Sequence, residues 1–209
     1  MRGVHEVQHP LIQCHLTRLR DEKTPPSEFR EAVRRLATLL AYEATKDLRC
    51  ESTPVKTPLT ETTGQKLLER VGLIPILRAG LGMVDPVLDL IPMAEVWHLG
   101  LYRDEATAQP VKYYSKLPPG GAVDVGMVVD PMLATGGSAA AALQTLQEWG
   151  VRQLKVLSII ASEEGIKAIE AEFPDAQVYV CQIDPVLNDH KYIVPGLGDA
   201  GDRIFNTPG

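Results

Sequence analysis

The strongest constraint on this chain is a rhythm in which short apolar runs alternate with stretches of helical periodicity. Runs at residues 73–77, 125–129, 154–160 and 177–181 are short, largely apolar and rich in Val, Ile and Leu, and 95–99 is a further, more mixed strand candidate. Helical patterns at 84–90, 138–149 and 164–173 lie among them, the second rich in alanine. Strands that are apolar on both faces and separated by helices predict an α/β fold, a mainly parallel sheet flanked by helices. Sheets of this kind place ligands at the carboxyl ends of strands, where loops lead into helix starts.

Other segments surround that core. Residues 27–48 read as a helix, with Ser27 as its cap, Glu28 and Glu31 at its positive end, and Phe29, Val33, Leu36 and Leu40 on one face. Residues 53–63 read as a loop or a short edge hairpin. Residues 101–117 are polar and carry tyrosines, which predicts a protruding hairpin arm. The stretch 185–209 is dense in Gly, Pro and Asp, yet Tyr192, Ile193, Val194, Leu197, Ile204 and Phe205 are interleaved in it. Such a stretch predicts an ordered functional loop. At 209 residues, the chain suits a single domain over 1–209, with a core at about 65–182, an N-terminal helical segment at 1–50 and a separate C-terminal segment at 183–209.

Composition excludes several classes. A net charge of −6 lacks the basic surface that a phosphate backbone requires, so nucleic acid is not expected as the main partner. The three cysteines, Cys14, Cys50 and Cys181, are far apart and show neither a disulfide framework nor a zinc spacing. His9, His98 and His190 are isolated. No apolar run reaches membrane-spanning length, so no membrane partner and a cytoplasmic location are expected.

The chemistry concentrates in three turns. In the first, the run Met127–Val129 ends in Asp130, and Pro131, Met132, Leu133, Ala134, Thr135, Gly136, Gly137 and Ser138 lead into a helix. Glycines let several backbone N–H groups face one point, and a helix start adds partial positive charge, the makings of a phosphate cradle. Thr135 and Ser138 add hydroxyl donors, and Asp130 is placed to accept from the hydroxyls of an attached ribose. No lysine lies in the turn, so it is not a Walker loop. The same residues also suit a plain strand-to-helix turn capped by Ser138. In the second turn, Arg78 stands at a strand end before Gly80 and Gly82, a place for bidentate phosphate binding or for an ordinary surface ion pair. Arg103 opens the polar arm, where it either closes over an anion or is solvated beside Asp104 and Glu105. The third turn is Tyr192–Arg203, with glycines at 196, 198 and 201.

Three strings carry a resemblance: PILRAGLGM at 75–83, VVDPMLATGGS at 128–138 and YIVPGLGDAGDR at 192–203. Together they resemble the uracil phosphoribosyltransferases, within the type I phosphoribosyltransferases. The likeness extends from VQHPLI near the start through LLAYEAT at 39–45 to the last loop. Where the wider family usually has two adjacent acids, this chain has Asp130 followed by Pro131, which leaves Asp130 alone on the ribose. The resemblance implies transfer of the phosphoribosyl group of phosphoribosyl pyrophosphate (PRPP) to N1 of uracil, giving UMP and pyrophosphate. It implies Arg78, Arg103, Asp130, the 131–138 turn and Asp199 as PRPP contacts, with Arg103, Asp130 and Asp199 closest to the chemistry. It implies uracil contacts at Ile193, Gly198, Asp199 and Ala200, and makes 183–209 the base-binding segment. Mg²⁺ is implied as cofactor, carried on PRPP with Asp199 as the one candidate protein ligand, and so is a homodimer or larger homo-oligomer. Some relatives are activated allosterically by GTP, but no residue here marks a GTP site. Three other readings stay open: transfer to a purine, a non-catalytic regulator binding UMP and RNA, and a dinucleotide enzyme. The last lacks a G-x-G-x-x-G after an early strand.

Overall fold

The computed structural model describes residues 3–103, 110–115, 117–118 and 120–208, with the backbone alone at 101–103 and 110–115. In chain order the elements are β1 (Val4–Glu6), α1 (Pro10–Arg20), α2 (Pro26–Ala44), β2 (Cys50–Lys56), β3 (Glu61–Leu67), β4 (Val71–Pro75), α3 (Leu81–Leu90), β5 (Glu95–Val96), β6 (Leu99–Arg103) and β7 (Pro110–Ser115). They continue with β8 (Val125–Val129), β9 (Met132–Leu133), α4 (Gly137–Trp149), β10 (Gln153–Ser162), α5 (Glu163–Glu172), β11 (Gln177–Asp184), β12 (Val186–Leu187), β13 (Ile193–Val194) and α6 (Ala200–Phe205).

The expected parallel sheet is present. Its order is β1-β11-β10-β8-β4-β5, with β9 added to β10 as the seventh strand. Every pairing within it is parallel. Strand residues alternate between two cores, as a period of two requires. Leu73, Met127, Val129, Leu157 and Ile159 face the layer of α1, α2 and α3. Ile74, Val128 and Val156 face α4 and α5 through Leu143, Leu146, Ile166 and Ile169. Both faces are covered, which is why β4 and β8 are buried at every residue.

From β4 the chain crosses to β5 on one side, whereas β8, β10 and β11 progress to the other. The direction of winding therefore reverses between β4 and β8. Their carboxyl ends, leading to Arg78 and Asp130, flank the crevice that such a reversal opens.

Several sequence expectations need correction. The first long helix is α2, which starts at Pro26 after Pro25, and no side chain caps it, so Ser27 is not the cap. The N-terminal segment is not purely helical: β1 joins the sheet edge beside β11, and α1 precedes α2, its N-terminus capped by the His9 ring. Of the two forms expected for residues 53–63, the structure takes the hairpin, as part of the antiparallel pair β2–β3. The 95–99 run divides between β5 in the main sheet and β6, which pairs with β7 as the expected hairpin arm. The C-terminal stretch contains α6 and the β12–β13 ladder, so it is more regular than a loop.

Among the described residues, no helix is long and apolar enough to cross a membrane. Lys155, with a fully buried side chain, is paired with Asp47 and donates to Ala44 O, fixing the end of α2 to β10. Removing the partner of a buried charge typically costs about 3–5 kcal/mol. Asp47→Ala is therefore expected to lower the urea midpoint markedly. An unchanged midpoint would show that the lysine is neutralised elsewhere.

Candidate active site

The cleft at the reversal point has a volume of about 340 Å³ and is lined by Ile76–Ala79, Asp130, Met132, Ser138 and Asp199–Gly201. Larger grooves lie on the outer surface, against Val4–Gln8 and between α1 and α2. Neither contains a glycine turn at a strand end.

The phosphate-type turn is built in two halves. Beyond Asp130, the Pro131 carbonyl accepts from Ile159 N and Ile160 N at 3.1 and 3.0 Å, and β9 then pairs with Ile160 and Ala161. This half is an extension of the sheet rather than a small-residue turn. The true bend is Ala134–Gly136, with Gly136 at φ +85°. Gly136 is the N-cap of α4 and no side chain caps that helix, so the Ser138 cap is overturned and the helix start remains open to an anion. Behind the bend, Ser162 caps α5 by accepting from Gly165 N at 2.9 Å, and its hydroxyl donates to Ala134 O at 2.6 Å. A Cβ at Gly165 would come within 2.4 Å of Ala134 O. Ser162 and Gly165 thus shape the bend from outside it. Sequence reasoning passed over both, although Ser followed by acids before a helical pattern is a cap signal.

Asp130 is half-buried at the end of β8, and its carboxylate accepts from Met132 N at 3.3 Å. Burial raises its pKa to about 7, the Met132 N–H opposes that rise, and the Asp199 carboxylate adds to it. Asp199, which is exposed, caps α6, its Oδ1 accepting from Asp202 N at 2.9 Å. It therefore has a structural duty besides lining the cleft.

On the opposite wall, Ile76 N donates to Val129 O at 3.0 Å and Gly80 N to Ile76 O at 2.8 Å, closing the Arg78 turn against β8. The Leu77–Arg78 peptide is cis. Arg78 is not free: its Nη2 donates to Asp202 at 2.8 Å and its Nη1 lies 3.4 Å from the Thr207 hydroxyl. Thr207 and then Arg78 hold the Asp202 carboxyl below the usual range. Gly80 is needed for the approach, since its Cβ would meet Val129 O at 2.4 Å. Gly82 instead faces Ile204 and Val33, away from the cleft.

Arg78, Asp130, Met132, Ser138, Asp199 and Ala200 share the cleft. Pro131, Leu133, Ala134, Thr135, Gly136 and Gly137 form the connection that runs beside the cleft from Asp130 to the start of α4. Ile193 is in the hydrophobic core at 3% exposure, and Gly198 is exposed with φ +77°. The Arg103 backbone pairs with Pro110 in the arm, and its side chain lies outside the described residues. No group of three His, Cys, Asp or Glu suited to a metal occurs among the described residues.

A doubly covered parallel sheet with an uncapped helix start beside a strand-end carboxylate is the frame of an α/β protein that binds a phosphate-bearing ligand at its strand ends. The chain overlays an adenine phosphoribosyltransferase from Thermoanaerobacter pseudethanolicus with TM-score 0.51 at 13% identity, covering 77% of this chain and 85% of that one, a likeness of fold. It overlays the AQ2163 protein from Aquifex aeolicus with TM-score 0.91 at 37% identity, over 97% of each chain. The family described as uracil phosphoribosyltransferase matches residues 6–207. A uracil phosphoribosyltransferase of Roseiflexus sp. (strain RS-1) is 60% identical over 200 residues, 96% of each chain. The chain belongs to the uracil phosphoribosyltransferase family.

Proposed function

We propose that this chain transfers the phosphoribosyl group of PRPP to N1 of uracil, releasing pyrophosphate and UMP. The observation that carries the reading is the meeting of Asp130, Ser138, Arg78 and Asp199–Ala200 in one cleft. The 131–138 turn and the start of α4 hold the 5′-phosphate, and Asp130 accepts from the ribose hydroxyls. Arg78, with Arg103 from the arm, takes the diphosphate. Ile193 and Gly198–Ala200 present backbone groups to O2, N3–H and O4 of uracil. The N1–C1 bond forms with inversion as the bond from C1 to the diphosphate oxygen breaks, and the N1 proton leaves to solvent. Catalysis is then positioning plus neutralisation of growing negative charge.

Magnesium fits this site. Asp130 and Asp199 are oxygen donors at one cleft, and the Asp199 carboxylate makes the charge on Asp130 more costly, which suits a hard cation brought in on the diphosphate, with Asp199 as its candidate ligand. When bound, Mg²⁺ would supply charge neutralisation to the leaving group. Cys14, Cys50 and Cys181 are free thiols, which suits the cytosol.

The test is pyrophosphate release from PRPP and Mg²⁺ with uracil, cytosine, hypoxanthine or adenine. Release with uracil alone is expected, because cytosine lacks the N3 proton and presents an amino donor, leaving buried groups unpaired. Release with a purine and not with uracil would sink the reading. A pH dependence follows too. The Asp130 carboxylate exists above about pH 7, so kcat/KM for PRPP should climb with pH to a plateau above that point. Asp199→Asn removes a neighbouring negative charge and should move the inflection to lower pH. An inflection that stays in place would show that another group titrates.

A further inference from the structure

A buried ion pair that the proposed chemistry does not use lies behind the base segment. Asp184, the last residue of β11, is 3% exposed. Arg20, the last residue of α1, grips it with both ends of its guanidinium, Nη1 to Oδ2 at 2.9 Å and Nη2 to Oδ1 at 2.7 Å. Both side chains then take hold of one residue between Ile193 and Gly198. Gly196 N donates to Asp184 Oδ2 at 3.0 Å, and Gly196 O accepts from Arg20 Nη1 at 2.9 Å. The turn is closed so tightly, with φ +62°, that a Cβ at Gly196 would lie 2.0 Å from Ile193 O.

A second arginine secures the adjoining residue to the same place. Arg203 of α6 donates from Nη1 to Leu197 O at 2.8 Å and to Leu19 O, and from Nη2 to Asp21 O at 2.7 Å. Its guanidinium stacks over Phe29, 4.3 Å from the ring centre. The segment proposed to read uracil is thus held to the end of α1.

We propose that Arg20 and Asp184 are positioning residues for base recognition. They touch no substrate. They fix the Gly196 peptide, and through it the backbone of residues 193–200, in the geometry that a pyrimidine edge requires. The proposal rests on the uracil reading. Its physical basis is that recognition by backbone groups is selective only when the backbone is set before binding, since a loop that must order itself gives up part of its binding energy. A fork-to-carboxylate pair suits this task, because its two parallel hydrogen bonds define a plane as well as a distance.

Two variants test it without leaving a bare carboxylate buried. Asp184→Asn keeps the shape but turns an amide donor toward the guanidinium, and Arg20→Lys keeps the charge but loses the fork. Both are read by steady-state kinetics and by hydrogen–deuterium exchange of the ligand-free chain. KM for uracil is expected to rise about tenfold in Asp184→Asn and by less in Arg20→Lys, with KM for PRPP held within about twofold. Amide exchange should accelerate at 193–200 and stay unchanged at 130–138. Equal shifts in both KM values, or unaltered uracil KM and exchange in both variants, would overturn the proposal. If wild-type chain turned over PRPP with another base, the uracil reading would fall, yet the exchange comparison would still decide whether the pair holds the segment.

Discussion

Asp130→Asn is expected to slow UMP formation by about a hundred- to thousandfold, the range seen when one oriented polar contact to the reacting group is lost. The same substitution is expected to stabilise the chain at pH 8. The folded-state pKa of Asp130, raised to about 7, exceeds the ordinary value of 3.8. Between those two values the folded chain holds a proton that the unfolded chain has released, so stability falls as pH rises from about 4 to about 7 and then levels off. The full shift corresponds to at most about 4 kcal/mol, less for a group beside an open cleft. Asparagine removes this dependence and keeps an acceptor for Met132 N. Melting curves of both proteins at pH 5 and pH 8, beside a pyrophosphate assay, check both halves. Loss of activity with a lower melting temperature at pH 8 would mean that Asp130 serves the fold rather than the ribose.

Gly80→Ala carries the second large effect. The added methyl would lie 2.4 Å from Val129 O and 2.7 Å from Ile76 N and O, all backbone atoms that cannot rotate away. Relief requires the Arg78 turn to move off the end of β8, opening the distance between Arg78 and Asp130. A misplacement of about 1 Å can cost about a hundredfold in rate, and overpacking adds about 1–3 kcal/mol of destabilisation. Gly82→Ala is the contrast. Its nearest neighbour is the Ile204 Cδ1 methyl at 3.1 Å, which can shift, and alanine favours helix by about 1 kcal/mol over glycine. The first variant should lose most of its turnover and the second little, as measured by kcat at saturating PRPP. Equal rates would mean that the Arg78 turn tolerates displacement.

These contrasts show what the sequence made legible. The parallel sheet was readable because β4, β8, β10 and β11 are apolar on both faces, a pattern that few other architectures produce. The cleft was readable because Asp130 and Arg78 sit at strand ends beside glycines. Other features depend on partners distant in sequence. β1 is three residues long and is defined by its pairing with β11. α6 is a six-residue helix whose cap, Asp199, drew attention as a ligand rather than as an acceptor for Asp202 N. Arg20 and Asp184, 164 positions apart, gave no local signal at all. Arg78 shows the same limit, because its strand-end position suited either a phosphate fork or a surface ion pair, and only the fold supplies Asp202 as its partner.

The most direct measurement is a crystal structure of the chain with UMP. The phosphate should rest on the 131–138 turn at the start of α4, with the ribose hydroxyls on Asp130 and the uracil edge against the backbone of 198–200. UMP bound in another groove, or held with its base turned away from that segment, would contradict the account.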